Sequence, residues 1–343
     1  MPLPPETNAL RLLIVTDAWF PQVNGVVRTL STMVEQLRAA GDTVETLTPA
    51  DFRSVPCPTY PEIRLAVCTP GAVARRIEAF RPTALHIATE GPLGFWARRY
   101  ALRRGWPFST SFHTRFPEYI HARARIPIAW SYALVRWFHN PAASVMVPTQ
   151  AILDDLDARG FRNLKLWTRG VDTGVFQPGP KPDWAKDLPR PVMLSVGRVA
   201  VEKGLPDFLG LDRPGTKLVV GDGPARADLE KAYPDARFLG ARLGAELAAA
   251  YRAADVFVFP SRTDTFGLVM LEALASGVPV AAYPVMGPVD VIGAAPVGCL
   301  DQNLGRAVDQ ALVVPPERCR AYAKTFSWAA CAERFRSFLA PFA

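Results

Sequence analysis

Residues 10–49 read LRLLIVTDAWFPQVNGVVRTLSTMVEQLRAAGDTVETLTP, and this stretch decides the fold. Leu12 to Val15 form a continuous apolar run of strand length. FPQVNGV, which follows, is rich in turn formers. Val27, Leu30, Val34 and Leu37 then recur at helical spacing, and the pattern stops at Gly41. DTVETLTP reads as a second strand. Strand, loop, helix and strand make a βαβ unit, the repeat of a doubly wound parallel sheet.

Working outward, ALHIAT, PFSTSFHT and AASVMVPT continue the strands. PGPKPDWAKDLPRP, residues 178–191, is rich in proline and charge and reads as a hinge. The pattern restarts beyond it, with strands in VMLSVGR, TKLVVGDGP, RFLG, DVFVFPS and VPVAAYP. Helices in ARADLEKAY, AELAAAYRAA and FGLVMLEALASG alternate with them. The expected class is α/β, with two doubly wound Rossmann-like domains over residues 1–178 and 179–325. Domains of this kind in tandem place their strand ends, and so a ligand cleft, against each other.

A length of 343 residues, 49% hydrophobic and 21% charged, suits two domains that each bury a core. No apolar run approaches the length of a spanning helix, and the first residues read as a strand rather than a signal peptide. The five cysteines form no CxxC pair, which suits free thiols in a reducing compartment. Residues 1–178 hold 20 Lys and Arg against 14 Asp and Glu, so nearly all of the net +7 lies there. It concentrates in 95–140, where Arg98, Arg99, Arg103, Arg104, Arg115, Arg123, Arg125 and Arg136 stand with Glu118 as the one acid. Aromatic residues interleave. Such a surface suits an anionic membrane, or is simply a solvated face. No nucleic-acid-binding motif accompanies it.

Four short constellations carry candidate chemistry. Gly25, where a strand turns into a helix, either lets backbone amides approach an anion or marks a plain βα turn. In SVGRVAVEKGL, Arg198 and Lys203 flank a strand end, a pattern that fits a diphosphate clamp or two surface charges. VVGDGP reads as a structural turn, with Pro224 opening the next helix, or less readily as a contact for a nucleotide base. In FPSRTDTFGLVMLEALASGVPV, residues 259–280, the helix amides from Thr265, Phe266, Gly267 and Leu268 offer an anion seat. Glu272 sits there among Leu271, Ala273 and Leu274, and an ionised carboxylate in an apolar helix calls for a partner.

Together these pieces resemble the retaining GT-B glycosyltransferases, specifically glycosyltransferase family 4. That family's signature is two glutamates separated by seven residues, and here it reads Asp264-TFGLVML-Glu272. Gly197, Arg198, Glu202, Lys203 and Gly204 match its GR…EKG element. VVGDGP, ADVFVFPS, RGVDTGVFQP, HIATEGPLG and SFHTRFPEY match further elements. The resemblance covers almost the whole chain, with a shortened segment at 205–217. SWAACAERFRSFL resembles the family's final helix, which implies that 326–343 crosses back onto the first domain. By resemblance, Arg198 and Lys203 would bind the donor's diphosphate, helped by the backbone at Gly25 and at residues 265–268. Glu272 would bind the donor ribose, Asp264 would stand where the family's first glutamate meets the sugar, and His113 would lie near the sugar's hydroxyls. Glu90 would serve the acceptor or cap a helix.

The implied reaction moves a hexose or hexuronate from a nucleotide diphosphate sugar (UDP-sugar or GDP-mannose) to a membrane lipid such as diacylglycerol. No cofactor and no metal are expected. The one D-x-D, Asp155-Leu-Asp157, reads as the solvated face of a helix capped by Thr149. The expected location is cytoplasmic, peripheral on the inner face of the cell membrane. Rival readings are an α-mannosyltransferase with another acceptor, a nucleotide-sugar epimerase or hydrolase of the same fold, and a binding-only protein in which Asp264 marks a degenerate site.

Overall fold

The computed structural model describes residues 9–22, 24–57, 60–118, 127–264 and 266–342. Arg123, Arg125 and Thr265 therefore lie outside the described residues. The chain divides into two compact units, Met1–Thr168 with Ala329–Ala343, and Arg169–Trp328.

The first unit is built on strands β1 (Arg11–Val15) and β2 (Thr43–Leu47), a hairpin of β3 (Ser54–Cys57) and β4 (Tyr60–Ala66), then β5 (Ala84–Ile87), β6 (Ser109–Ser111), β7 (Ser144–Val147) and β8 (Leu164–Leu166). The large sheet runs β2-β1-β5-β6-β7-β8, and every pairing in it is parallel. Its helices are α1 (Gly25–Ala39), α2 (Pro70–Phe80), α3 (Pro92–Arg104), α4 (Ile128–His139) and α5 (Gln150–Ala158). The opening stretch explains the register. Val27, Leu30, Val34 and Leu37 of α1 are all buried, and Asn24 caps the helix by accepting from the Val26 and Val27 amides at 3.0 Å.

The second unit holds β9 (Val192–Val196), β10 (Thr216–Val220), β11 (Arg237–Phe238), β12 (Val256–Phe259), β13 (Val280–Ala282) and β14 (Gly298–Leu300). Their order is β11-β10-β9-β12-β13-β14, again all parallel. Between and after the strands lie α6 (Leu205–Leu209), α7 (Arg226–Ala232), α8 (Gly244–Ala253), α9 (Leu268–Ala275), α10 (Pro288–Val291), α11 (Leu304–Ala311) and α12 (Pro316–Ala323). Alternate residues of each strand feed two cores. Leu194, Val220 and Phe257 enter one, and Met193, Val219 and Val258 enter the other. Both faces are covered, so these strands are mainly apolar.

Residues 178–191 do not form the boundary. Asp255 holds that segment onto the second unit, paired with Lys181 at 3.0 Å and with Arg190, and accepting from the Val192 amide at 2.7 Å. Ala185 and Leu188 are buried in the same core as Val171 and Phe176. The compact unit accordingly starts at Arg169, earlier than the expected 179. Pro224 also differs from expectation. Helix α7 begins at Arg226 with Ala225 as N-cap, so the proline belongs to the preceding turn.

The last helix, α13 (Trp328–Ser337), lies almost wholly within the first unit. Its Phe335 packs edge-on against His86 at 4.8 Å and against Trp167 at 4.9 Å. Arg336 bonds the buried Asp42 carboxylate at 2.9 and 3.2 Å. Arg336→Ala leaves that carboxylate with the Leu10 amide alone among the described residues. Removing one partner of a buried pair is costly, so the first unit should lose about 3 kcal/mol. A thermal melt of the variant measures this, and an unchanged transition would show that the pair holds nothing.

Candidate donor and acceptor sites

The second sheet has the order in which ligands bind where strand connections diverge, at the carboxyl ends of its two central strands. Those strands are β9 and β12. Arg198 and Lys203 follow β9 and Asp264 follows β12, so the fold itself brings Lys203 and Asp264 together. A small cavity there is lined by Gly197, Arg198, Lys203, Phe259 and Ser261.

Two glycines fix the loops. Gly221 (φ +142°) lies so close to the Gly197 carbonyl that a Cβ would sit 1.8 Å from its oxygen. Gly204 (φ +63°) would place a Cβ 2.7 Å from the Pro260 carbonyl oxygen. The loop bearing Arg198 and Lys203 is thus clamped between the turn after β10 and the loop after β12. The VVGDGP turn has a packing role through Gly221.

Both cations meet carboxylates. Arg198 donates to Glu202 at 2.9 Å, and Lys203 donates to Asp264 Oδ1 at 2.5 Å. All four side chains are between about a sixth and a quarter exposed. Asp264 Oδ2 is buried and has no hydrogen-bond partner among the described residues. Phe266 is buried, Gly267 is the N-cap of α9, and no side chain caps the helix that Leu268 opens.

Glu272 is 2% exposed. A protein partner takes its carboxylate: the Tyr251 hydroxyl donates to Oε2 at 2.9 Å. Tyr251 is fully buried on α8, and sequence reasoning missed it. The signal was present as a tyrosine in the otherwise aliphatic AELAAAYRAA, but its pairing with Glu272 needs the tertiary fold.

In the first unit, His113 lies just past β6, half-buried, with its ring edge-on to Trp167 at 6.0 Å. Gly25 is exposed at the start of α1, where the Asn24 carboxamide already occupies the next two amides. Glu90 does not cap α3. Asp17, missed in the sequence, does: its buried carboxylate accepts from Leu93 N at 3.1 Å, from Thr89 Oγ1 at 3.0 Å and from Gly94 N at 3.5 Å. Glu90 instead meets His139 Nε2 at 3.0 Å.

The arginine-rich segment is less uniformly a charged surface than its composition suggests. Arg98 is buried, donating to the Phe138 and Trp137 carbonyls and stacking on Trp137 at 3.9 Å. Arg104 is paired with Glu78, and Arg115 with Glu118 and Asp155. Arg99, Arg103 and Arg136 are exposed. Helix α4 presents Trp130, Leu134 and Trp137, at 71%, 64% and 48% exposure, along one face. In the D-x-D, Asp157 is exposed but Asp155 is bonded to Arg159 at 3.0 Å. Among the described residues no helix is long and apolar enough to cross a membrane.

The model of Glycosyltransferase Family 4 matches residues 23–175, and that of Glycosyl transferases group 1 matches residues 190–329. The chain is 33% identical over 311 residues to a sulfoquinovosyl transferase of Arabidopsis thaliana, covering 82% of this chain and 60% of that protein. It is 33% identical over 312 residues to a GDP-mannose-dependent alpha-mannosyltransferase of Mycobacterium tuberculosis, covering 82% and 81%. Identity is 27% over 354 residues to an alpha-monoglucosyldiacylglycerol synthase of Streptococcus pneumoniae, covering 90% and 79%. The fold superposes on sucrose-phosphate synthase from Thermosynechococcus elongatus with a TM-score of 0.77 at 21% identity, covering 95% of this chain and 97% of that one. The architecture is therefore GT-B.

Asp17 supplies a pH test of the first site. Burial pushes its carboxyl from 3.8 up to about 6, against the lowering effect of its hydrogen bonds, and the neighbouring Glu90 adds to the rise. Between those values the folded chain holds a proton that the unfolded chain has lost. The linked stability is complete below the unfolded pKa and is lost as pH rises through the folded one. The difference corresponds to roughly 3 kcal/mol. Asp17→Asn, which retains an acceptor for Leu93, should gain on wild type by up to that amount as the pH goes from about 4 to about 7. Paired urea titrations measure it, and parallel curves would contradict the buried placement of Asp17.

Proposed function

Because this chain belongs to glycosyltransferase family 4, and so is a hexosyltransferase, we propose that it moves a hexose or hexuronate from a nucleotide diphosphate sugar to a membrane lipid such as diacylglycerol. On this reading the anomeric configuration is retained and no metal takes part. One observation carries the donor half: two cations, Arg198 and Lys203, line the cavity at the divergence point of the second sheet, and Lys203 holds Asp264 in the loop that leads to the uncapped start of α9. As the bond to the sugar breaks, negative charge builds on the leaving diphosphate. Prepositioned cations and helix amides meet such charge where it develops. Glu272, positioned by Tyr251, would take the ribose, and Asp264 and His113 the sugar.

The acceptor half rests on the exposed Trp130, Leu134 and Trp137 of α4 and on the exposed Arg99, Arg103 and Arg136 of the same unit. Aromatic side chains with flanking cations suit an anionic lipid interface. A relative whose name specifies diacylglycerol supports the same acceptor. The protein would then work at the cytoplasmic face of the cell membrane. The likeness to a GDP-mannose-dependent enzyme favours a second reading, mannosyl transfer to another acceptor.

Incubation with UDP-glucose, UDP-glucuronate or GDP-mannose and dioleoylglycerol in phosphatidylglycerol vesicles should give a glycolipid from one donor. Glu272→Gln should lower transfer by at least about tenfold through weaker donor binding. Donor consumption without an acceptor requirement would favour an epimerase or hydrolase. Transfer to no lipid, together with no vesicle binding, would remove the lipid claim.

Asp264 makes a separate prediction. It holds Lys203, so an incoming diphosphate must displace it. Asp264→Asn should tighten UDP or GDP binding by about fivefold in calorimetry while transfer falls. Weaker nucleotide binding in that variant would mean that Asp264 aids the diphosphate rather than competing with it.

A further inference from the structure

The donor reading makes no use of the divergence point of the first sheet. The strands that flank it are β1 and β5, and their carboxyl ends lead to Asp17 and Glu90. Asp17 is spent on the amides of α3, so Glu90 has no capping role. Its Oε1 lies 3.0 Å from Nε2 of His139. His139 is fully buried, and its Nδ1 lies 2.8 Å from Thr110 Oγ1 on β6. The Thr110 hydroxyl can donate or accept and so suits either tautomer, whereas a carboxylate only accepts, and it is Glu90 that selects the Nε2–H form of His139. The carboxylate is thereby fixed at one oxygen. Its side chain is 16% exposed, and Oε2 carries no hydrogen bond among the described residues.

Stability alone accounts poorly for this arrangement. Glu90 stands beside a second carboxylate, Asp17, whose charged form it disfavours. Placing like charges together at the mouth of a sheet weakens the fold unless the site uses them.

We propose that Glu90 is the carboxylate that receives a hydroxyl of the glycosyl acceptor, and that His139 is the positioning residue that fixes it. This rests on the transfer reading above and adds a chemical class to it. An ionised carboxylate accepts hydrogen bonds and repels anions. The acceptor's polar end is therefore a neutral, hydroxyl-bearing group rather than a phosphorylated one.

The test uses the full chain with three acceptor probes: dioleoylglycerol in phosphatidylglycerol vesicles, methyl α-mannopyranoside, and myo-inositol 3-phosphate. Transfer kinetics are measured alongside UDP and GDP affinity for wild type, Glu90→Gln, His139→Phe and His139→Gln. Glu90→Gln and His139→Phe should raise the KM of a neutral acceptor by about tenfold, with nucleotide affinity within about twofold of wild type. His139→Gln, whose amide can still donate to Glu90, should recover part of the loss. An unchanged acceptor KM in Glu90→Gln overturns the proposal, as does a preference for inositol phosphate. Nucleotide affinity falling in step with transfer in His139→Phe would reduce His139 to a structural residue. If wild type uses the mannoside and not dioleoylglycerol, the lipid reading falls, and the same KM comparison on the mannoside decides Glu90.

Discussion

A strand inside a parallel sheet with both faces covered can deliver a polar side chain to solvent only at its end. That constraint organises both units. In the second, β9, β10 and β12 are mainly apolar, and chemistry begins with the residues that follow them. The first sheet buries polar groups within its strands, His86 on β5 and all three residues of β6, and these are consumed internally. Ser109 and Ser111 bond the two ring nitrogens of His86, both at 2.9 Å, and Thr110 bonds His139. A buried hydroxyl or imidazole is tolerable when each such group has a partner. The same rule explains Glu272. An acid on a buried helix is held because Tyr251 offers its hydroxyl from the neighbouring helix.

In both units the residues with candidate roles cluster where the strand connections part. Arg198 and Asp264 arrive there from β9 and β12, Asp17 and Glu90 from β1 and β5. In the second unit, charges of opposite sign are paired, Arg198 with Glu202 and Lys203 with Asp264. Like charges stand together in the first, relieved by helix amides on Asp17 and by an imidazole on Glu90. One pattern suits an anionic ligand that exchanges for carboxylates. The other suits a ligand that brings hydrogen-bond donors and no charge.

Much of this was legible in the sequence, for local reasons. The βαβ pattern of residues 10–49 depends on periodicity, and the α1 positions it marked are buried. The glycine turn after β10 and the buried state of Glu272 follow from residue type and neighbours. What could not be read depends on partners distant in sequence. Asp17 and Leu93 are 76 residues apart, and Glu90 and His139 are 49 apart. Composition was a poor guide for the arginines, because Arg98 spends its charge on backbone carbonyls and an indole face. A proline-rich stretch suggested a hinge, but one acid, Asp255, anchors it to the second unit.

The paired cations of the second unit bear on how a donor arrives. With Glu202 and Asp264 in place, Arg198 and Lys203 project little net field into solvent. Long-range steering of an anion then contributes little to its encounter rate, which should depend only weakly on ionic strength. Recognition is deferred to contact, where a ligand must offer enough further interactions to displace two carboxylates. A simple inorganic anion has too few of these, whereas a diphosphate carrying a nucleoside and a sugar has many. On the proposed donor reading, the acids would make this site a filter against small phosphates and sulfates.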